Sequence, residues 1–187
     1  MAEVNVQTIK GTRLFLAVPI PEAVVKVLER ATHHYPQYIE KALPVENWHL
    51  TMVFLGEVEN PAQYFGRLQK NLPQTFVPTV SLMHVGRGLQ RSQLWAYAHP
   101  STTLLNLRGQ LVDRLKHMRF PLPHRDEPSD FVPHVHLADL FPMSRGIGMA
   151  DYPVISSFAV KEVNLYRSRS TPQGVQYSIE GIINLIA

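Results

Sequence analysis

The sequence predicts a mixed α+β fold built as two similar halves facing one another, and three observations lead there. Short apolar runs with strand character and segments with helical spacing follow in the order strand, helix, strand, helix, strands, helix, strands. That order lacks the regular alternation of a parallel βαβ sheet. The 187 residues are 45% hydrophobic and 18% charged, enough for one well-packed domain. Finally, one strand in each half carries a histidine with a polar side chain two residues on. His49 and Thr51 form the first pair and His134 and His136 the second, with the two motifs about half a chain apart.

Residues 1–10 are polar and mixed, and read as a lead-in. Arg13 to Val18 (RLFLAV) is an apolar run, expected as a first, central strand. Pro19-Ile20-Pro21 breaks it. Pro21 suits a helix start, with Glu22 near the positive end of the dipole. Val24, Val27, Leu28 and Ala31 then recur at helical spacing, predicting a helix over 21–34 that Pro36 ends. Lys41 to Glu46 reads as a loop leading into the strand of His49. Asn60-Pro61 opens a second helix to about Leu72. Thr79–Val85 and Gln93–Ala98 are strands, joined through Gly86 and Gly88. Ser101 is an N-cap for a third helix, with Leu104, Leu107, Leu111, Leu115 and Met118 as its apolar stripe. Pro121 to Ser129 is a Pro-rich charged loop, the strand of His134 follows, and Met143 to Tyr152 is a loop. Ser156–Arg167 and Val175–Ile186 are strands, with Thr171-Pro172-Gln173-Gly174 turning between them.

Composition removes several classes of function. There is no cysteine, so disulfides and thiolate metal sites are excluded. The net charge of +3 suits an anionic substrate but is too small for a nucleic-acid coat. No apolar run is long enough to span a membrane, and the first ten residues do not resemble a secretory signal. A cytoplasmic monomer is the expectation. Gly86-x-Gly88 is too short for a phosphate loop, and neither a Walker nor a Rossmann pattern is present.

The two histidine strands carry the chemistry. On a strand, residues two apart share a face. His49 and Thr51 therefore project together, with Leu50, Met52 and Phe54 expected on the other face. Likewise His134 and His136 share a face, with Val135 and Leu137 opposite. Facing each other across a cleft, the two pairs would flank one anion.

Trp48-His49-Leu50-Thr51-Met52-Val53-Phe54-Leu55-Gly56, followed by Pro133-His134-Val135-x-Leu137-Ala138, resembles the 2H phosphoesterase superfamily. Within it, the match is to the branch called 2′-5′ RNA ligase or RNA 2′,3′-cyclic phosphodiesterase. Arg13-Leu14-Phe15-Leu16-Ala17-Val18-Pro19 is similar to the family's opening strand and Leu94-Trp95-Ala96 to its middle strand. Val163 to Ser168, with Gly174 and Tyr177, is similar to its closing hairpin. The resemblance implies a bilobal α+β fold: two antiparallel sheets flanking a central cleft, helices outside, residues 1–187 forming one domain of two pseudo-symmetric lobes. It also implies metal-free, cofactor-free hydrolysis of 2′,3′-cyclic phosphates on RNA termini or nucleotides to 2′-phosphates, with reversible 2′-5′ ligation in some members. His49 and His134 match the catalytic positions. By analogy His49 protonates the leaving 3′ oxygen and His134 takes the proton of the attacking water; the sequence by itself leaves those roles open. Thr51 would donate to a non-bridging oxygen as charge builds there. The chain departs from the family in carrying His136 where Thr or Ser is usual, and Asp139 where a basic residue is more common. An imidazolium at 136 implies an activity optimum on the acid side of a His136→Thr variant.

Two other readings use the same residues. His-x-His is a metal-ligand spacing, and His134 and His136 with His49 would form a three-histidine site near Asp130 or Asp139. Asp139 has the wrong parity for that on a regular strand. Alternatively, the fold binds RNA ends or nucleotides without converting them. Arg167, Arg169, Arg87 and Arg91 are candidates for phosphate contacts, though solvated arginines are the plainer reading. Tyr35, Tyr38 and Trp48 are candidates for base stacking, and core or rim is again plainer. Trp95, inside an apolar strand, is expected in the core.

Overall fold

The computed structural model describes residues 12–58, 62–70, 72–73, 77–89, 92–123, 131–142, 148–172 and 174–186. Residues 1–10, the Asn60-Pro61 helix start, Arg91, Asp130 and Gln173 lie outside these, as do residues 124–129 and 143–147 of the two loops.

In chain order the elements are β1 (Thr12–Pro19), α1 (Glu22–Thr32), β2 (Ile39–Ala42), β3 (His49–Val58), α2 (Ala62–Leu68), β4 (Leu72–Pro73), β5 (Thr79–Arg87), β6 (Gln93–Ala98), α3 (Thr102–His117), β7 (His134–Leu140), β8 (Tyr152–Ala159), β9 (Glu162–Thr171) and β10 (Gly174–Ile186). The signals for α1 and α3 act as read. Glu22 and Arg30 sit at opposite ends of α1, each favoured by the dipole. The Ser101 hydroxyl accepts from the Leu104 N–H and starts α3. Leu104, Leu107, Leu111 and Leu115 of α3 are all buried.

The strands run β4-β10-β9-β1-β3-β7-β6-β5-β8, with β2 also paired to β7. Every pairing is antiparallel except β10 with β4. The path divides naturally at β3 and β7, which share one residue pair, Leu50 with Val135. Farther along β7, its partner is β2, from Ala138 to Leu140. Two antiparallel sheets thus meet at a single point in the middle of the molecule. Leu50 and Val135 are fully buried there, so the hinge between the sheets is also part of the core. Helices α1 and α3 pack against this buried face, α1 on β8 and β5, α3 on β3 and β5, while α2 packs on β10.

Several sequence expectations change. Ser156–Arg167 is not one strand. The chain leaves β8 at Val160-Lys161 and enters β9, and these strands belong to opposite ends of the sheet path. β8 pairs with β5, whereas β9 lies between β1 and β10. The second helix stops at Leu68, before Leu72. Within the expected Lys41–Glu46 loop, β2 ends at Ala42 and a short 3₁₀ turn, Val45–Asn47, delivers the chain to β3.

β-bulges decide which residues face the open side. In β3, Ala17 pairs with Thr51 and Leu16 with Val53, so Met52 is an extra residue. An extra residue reverses the alternation beyond it. Val53 therefore joins Met52 in the core, and Phe54, expected inside, is 58% exposed. A second extra residue, Leu55, follows, and Gly56 adopts the positive φ of 73° that the kink requires. In β7, Ala138 pairs with Leu94 and His136 with Trp95, leaving Leu137 as the extra residue. Both bulges fall three residues after the motif histidine, the same irregularity in each half.

Candidate active site

His49 and Thr51 flank Leu50, and His134 and His136 flank Val135, so the one residue pair joining β3 to β7 sets the geometry of all four. Because Leu50 and Val135 point into the core, the other four point to the opposite, open face. On that register His49 and His134 are diagonal neighbours, a backbone spacing of roughly 7–8 Å. The charges of His134 and His136 are both felt at His49.

Each motif histidine is held in the same way. His49 Nδ1–H donates to the Asn47 carbonyl oxygen at 2.7 Å, and His134 Nδ1–H donates to the Val132 carbonyl oxygen at 2.7 Å. Both acceptors lie two residues upstream. A carbonyl only accepts, so Nδ1 carries the hydrogen and Nε2 keeps its lone pair in the neutral ring. Orientation and tautomer are thereby fixed for proton exchange at Nε2.

Aromatic rings hold these imidazoles. His49 packs on Phe15 at 4.7 Å between ring centroids and on Tyr166 at 5.5 Å, with Tyr177 edge-on at 5.1 Å. Phe15 stacks on Tyr166 at 5.1 Å, and the Asn164 amide donates to the Tyr166 hydroxyl at 3.4 Å. His134 lies flat on Trp95, 3.6 Å between centroids and 13° between planes. Trp95 is fixed in turn by its indole N–H, which donates to Gln93 Oε1 at 2.8 Å. Gly88 makes room for the indole: a Cβ there would stand 2.6 Å from the ring. Gly86 serves another contact: a Cβ there would meet the Asp151 carboxylate.

Burial sets the electrostatics. Desolvation pulls the His49 pKa down to about 4; the hydrogen bond to Asn47 opposes this, and the charges on His134 and His136 add to it. His134 is also lowered, by burial first, with the Val132 hydrogen bond opposing and His136 contributing. His136 is lowered by burial against the pull of Asp139. Burial raises the phenols of Tyr166 and Tyr177, so both are uncharged hydrogen-bonding groups near neutral pH.

Asp139 departs from its expected place. The Leu137 bulge reverses parity beyond it, and Asp139 Oδ1 comes to 3.1 Å from His136 Nε2 instead of facing away. That removes the parity objection to a metal site. Even so, no group of three or more His, Asp or Glu side chains among the described residues is disposed to hold a metal ion.

No family model matches the chain. Two proteins, each named RNA 2′,3′-cyclic phosphodiesterase, are similar over most of it. The Methanocaldococcus jannaschii protein is 24% identical over 179 residues, spanning 89% of this chain and 97% of its own. The Thermotoga maritima protein is 25% identical over 181 residues, spanning 89% and 92%. Among solved structures, LigT of E. coli in its apo form aligns with a TM-score of 0.74 at 24% identity, covering 95% of this chain and 99% of LigT. LigT has also been solved in complex with 3′-AMP and with phosphate. The chain shares the fold of LigT and is similar in sequence, over most of its length, to these two RNA 2′,3′-cyclic phosphodiesterases.

The other residues singled out from the sequence lie elsewhere. Tyr35 is buried and its hydroxyl donates to the Val85 and Ala150 carbonyl oxygens, so it ties the core together. Trp48 is buried and Tyr38 packs against the same core. Arg167 is paired with Glu180 at 3.0 Å, Arg169 is exposed on β9, and Arg87 lies at the end of β5. Trp95 is in the core as expected, at 6% exposure, yet it also supports His134. Phe15 and Tyr166, the aromatic bed of His49, were not candidates. Phe15 pairs with Tyr166 across β1 and β9, and Ala17, two residues on, pairs with Thr51, so only the strand pairing brings this bed to His49.

Proposed function

We propose that this protein hydrolyses 2′,3′-cyclic phosphates at RNA ends or on nucleotides to 2′-phosphates, using His49 and His134 as an acid and base pair. The mirrored mounting of the two rings carries this reading: each is held through Nδ1 by a carbonyl two residues upstream, and each has Nε2 left for a proton. The names of the two relatives, and the crystallisation of LigT with 3′-AMP, support the same substrate class.

Opening the cyclic diester needs in-line attack of water on phosphorus and departure of the 3′ oxygen. In this reading His134 Nε2 takes the water proton, and His49 Nε2–H protonates the leaving oxygen, the roles that follow the family. Thr51 donates its hydroxyl hydrogen to a non-bridging oxygen, and His136 completes the grip on the phosphate. The depressed pKa of His49 means that burial holds the ring neutral until an anion binds. A phosphate monoanion about 4 Å away at an effective dielectric near 20 supplies roughly 4 kcal/mol, or about three pKa units. Substrate thus loads its own acid, and binding takes up a proton. Two similar lobes in one domain, whose strands meet at the Leu50–Val135 pair, suit a site that takes one histidine from each. Reversible 2′-5′ ligation is the same exchange with the 5′-hydroxyl of a second strand in place of water: it gives its proton to the base and bonds to phosphorus, the 3′ oxygen departs and is protonated, and a 2′-5′ diester is left.

The test is conversion of adenosine 2′,3′-cyclic phosphate followed by ³¹P NMR in the presence of a chelator. The proposal expects the 2′-phosphate alone, at a rate the chelator does not change. Loss of turnover with chelator would favour the three-histidine metal reading, and tight binding without conversion would favour a binding module.

A further inference from the structure

His136 is mounted the other way round from His49 and His134. This inference rests on its assignment above as a phosphate contact. Its Nε2 lies 3.1 Å from the Ala138 carbonyl oxygen and 3.1 Å from Asp139 Oδ1. A carbonyl and an ionised carboxylate both accept only, so Nε2 must carry the hydrogen, and those two oxygens engage it. The one remaining polar atom of the neutral ring is Nδ1, a bare lone pair. A lone pair repels a phosphate oxygen. The hydroxyl usual at this position in the family donates at any pH, and neutral His136 in this tautomer does not.

We propose that Asp139 is a positioning residue that fixes His136 in its Nε2–H form, making the His136 contact conditional: the imidazolium grips the phosphate and the neutral ring does not. The Leu137 bulge that turns Asp139 onto this face is the structural device behind it. The charged and titratable groups around the ring act in both directions. His134 and Asp139 share β7 with it, and His49 faces it from β3. Lys41 of β2 stands opposite Asp139 in register, and the Tyr177 phenol of β10 feels Asp139. Protonated His49 or His134 disfavours charge on His136, while Asp139 favours it. The site therefore holds anions best when mildly acidic.

Sulfate is the probe, because its charge is constant from pH 5 to 8. Its affinity is measured by calorimetry at pH 5.5, 6.5 and 7.5 for wild type, His136→Thr and Asp139→Asn. Wild-type affinity is expected to fall with rising pH more steeply than that of His136→Thr, by up to about tenfold per pH unit above the His136 midpoint. Asp139→Asn keeps a side-chain carbonyl for the Nε2–H but loses the charge, so its midpoint moves to lower pH. In the wild type, ¹⁵N histidine shifts should show neutral His136 as Nε2–H beside His49 and His134 as Nδ1–H. Matching pH dependence in wild type and His136→Thr overturns the inference, as does a neutral His136 protonated at Nδ1. Neither readout depends on turnover. A protein that binds sulfate this way but leaves cyclic phosphates unopened keeps the inference and loses the catalytic proposal; turnover with a pH-independent His136 contribution does the reverse.

Discussion

Replacing His49 by Gln should make the folded protein less sensitive to acid. The His49 pKa is depressed from 6.5 to about 4 in the folded state because protonation would place a charge in a desolvated bed of aromatic rings. The unfolded chain has no such penalty. A histidine with a lowered folded pKa therefore adds stability above pH 6.5, and that stability is lost as the pH falls through 6.5 towards 4. From pH 7 to pH 5 the loss from this ring is about 2 kcal/mol, and below pH 4 it levels off near about 3.4 kcal/mol. Urea unfolding of wild type and His49→Gln at pH 7 and pH 5 measures it as a double difference. Gln does not titrate, so the variant should lose about 2 kcal/mol less than wild type over that interval. Sulfate in the site should shrink the wild-type loss, because the anion offsets the imidazolium. Equal losses in wild type and variant would refute the claim that His49 is held neutral by burial.

Three further outcomes follow from the packing around the site. Trp95→Leu removes the face on which His134 lies, and stacking of this kind contributes about 0.5–1.5 kcal/mol, so kcat/KM should fall by about 2- to 13-fold; unchanged kinetics would deny the indole a supporting role. Arg108 is 5% exposed on α3, donates from Nε to the carbonyl oxygen of the bulge residue Met52 at 3.1 Å, and lies 4.9 Å from the Phe131 ring. Arg108→Met should cost about 1–3 kcal/mol in chemical denaturation by stranding that carbonyl, and a loss below about 0.5 kcal/mol would show that the bulge needs no such support. His136→Thr should move the pH–rate optimum towards neutral or alkaline pH relative to wild type, whereas superimposable profiles would remove His136 from the phosphate contact.

How far the sequence could be read depended on whether the strands were regular. The face shared by His49 and Thr51, and that shared by His134 and His136, followed from two-residue alternation because no bulge interrupts either pair. Alternation failed one step later in each strand. Met52 sent Phe54 outward, and Leu137 turned Asp139 towards His136. A bulge has no firm local signature here: Met52 and Leu137 look like ordinary core residues, and only the partner strand's register exposes them as extra. Ser156–Arg167 read as one strand because both halves favour extended structure, and nothing in Val160-Lys161 signals that the chain changes sheets there. The aromatic bed of His49 was hidden for a different reason. Phe15, Tyr166 and Tyr177 come from β1, β9 and β10, and their meeting depends on which strands become neighbours. Trp95 was legible as core but not as the surface under His134, which depends on the absence of a side chain at Gly88 across the sheet.

The central claim is that one imidazole from each half exchanges protons across a single phosphorus atom. Its most direct test is kcat/KM on adenosine 2′,3′-cyclic phosphate for wild type, His49→Ala, His134→Ala and the double variant. Each single variant should lose about 10²–10⁴-fold, and the double variant little more than the worse single, since acid and base act as one unit. Turnover near the wild-type level in either single variant, with folding intact, would contradict it.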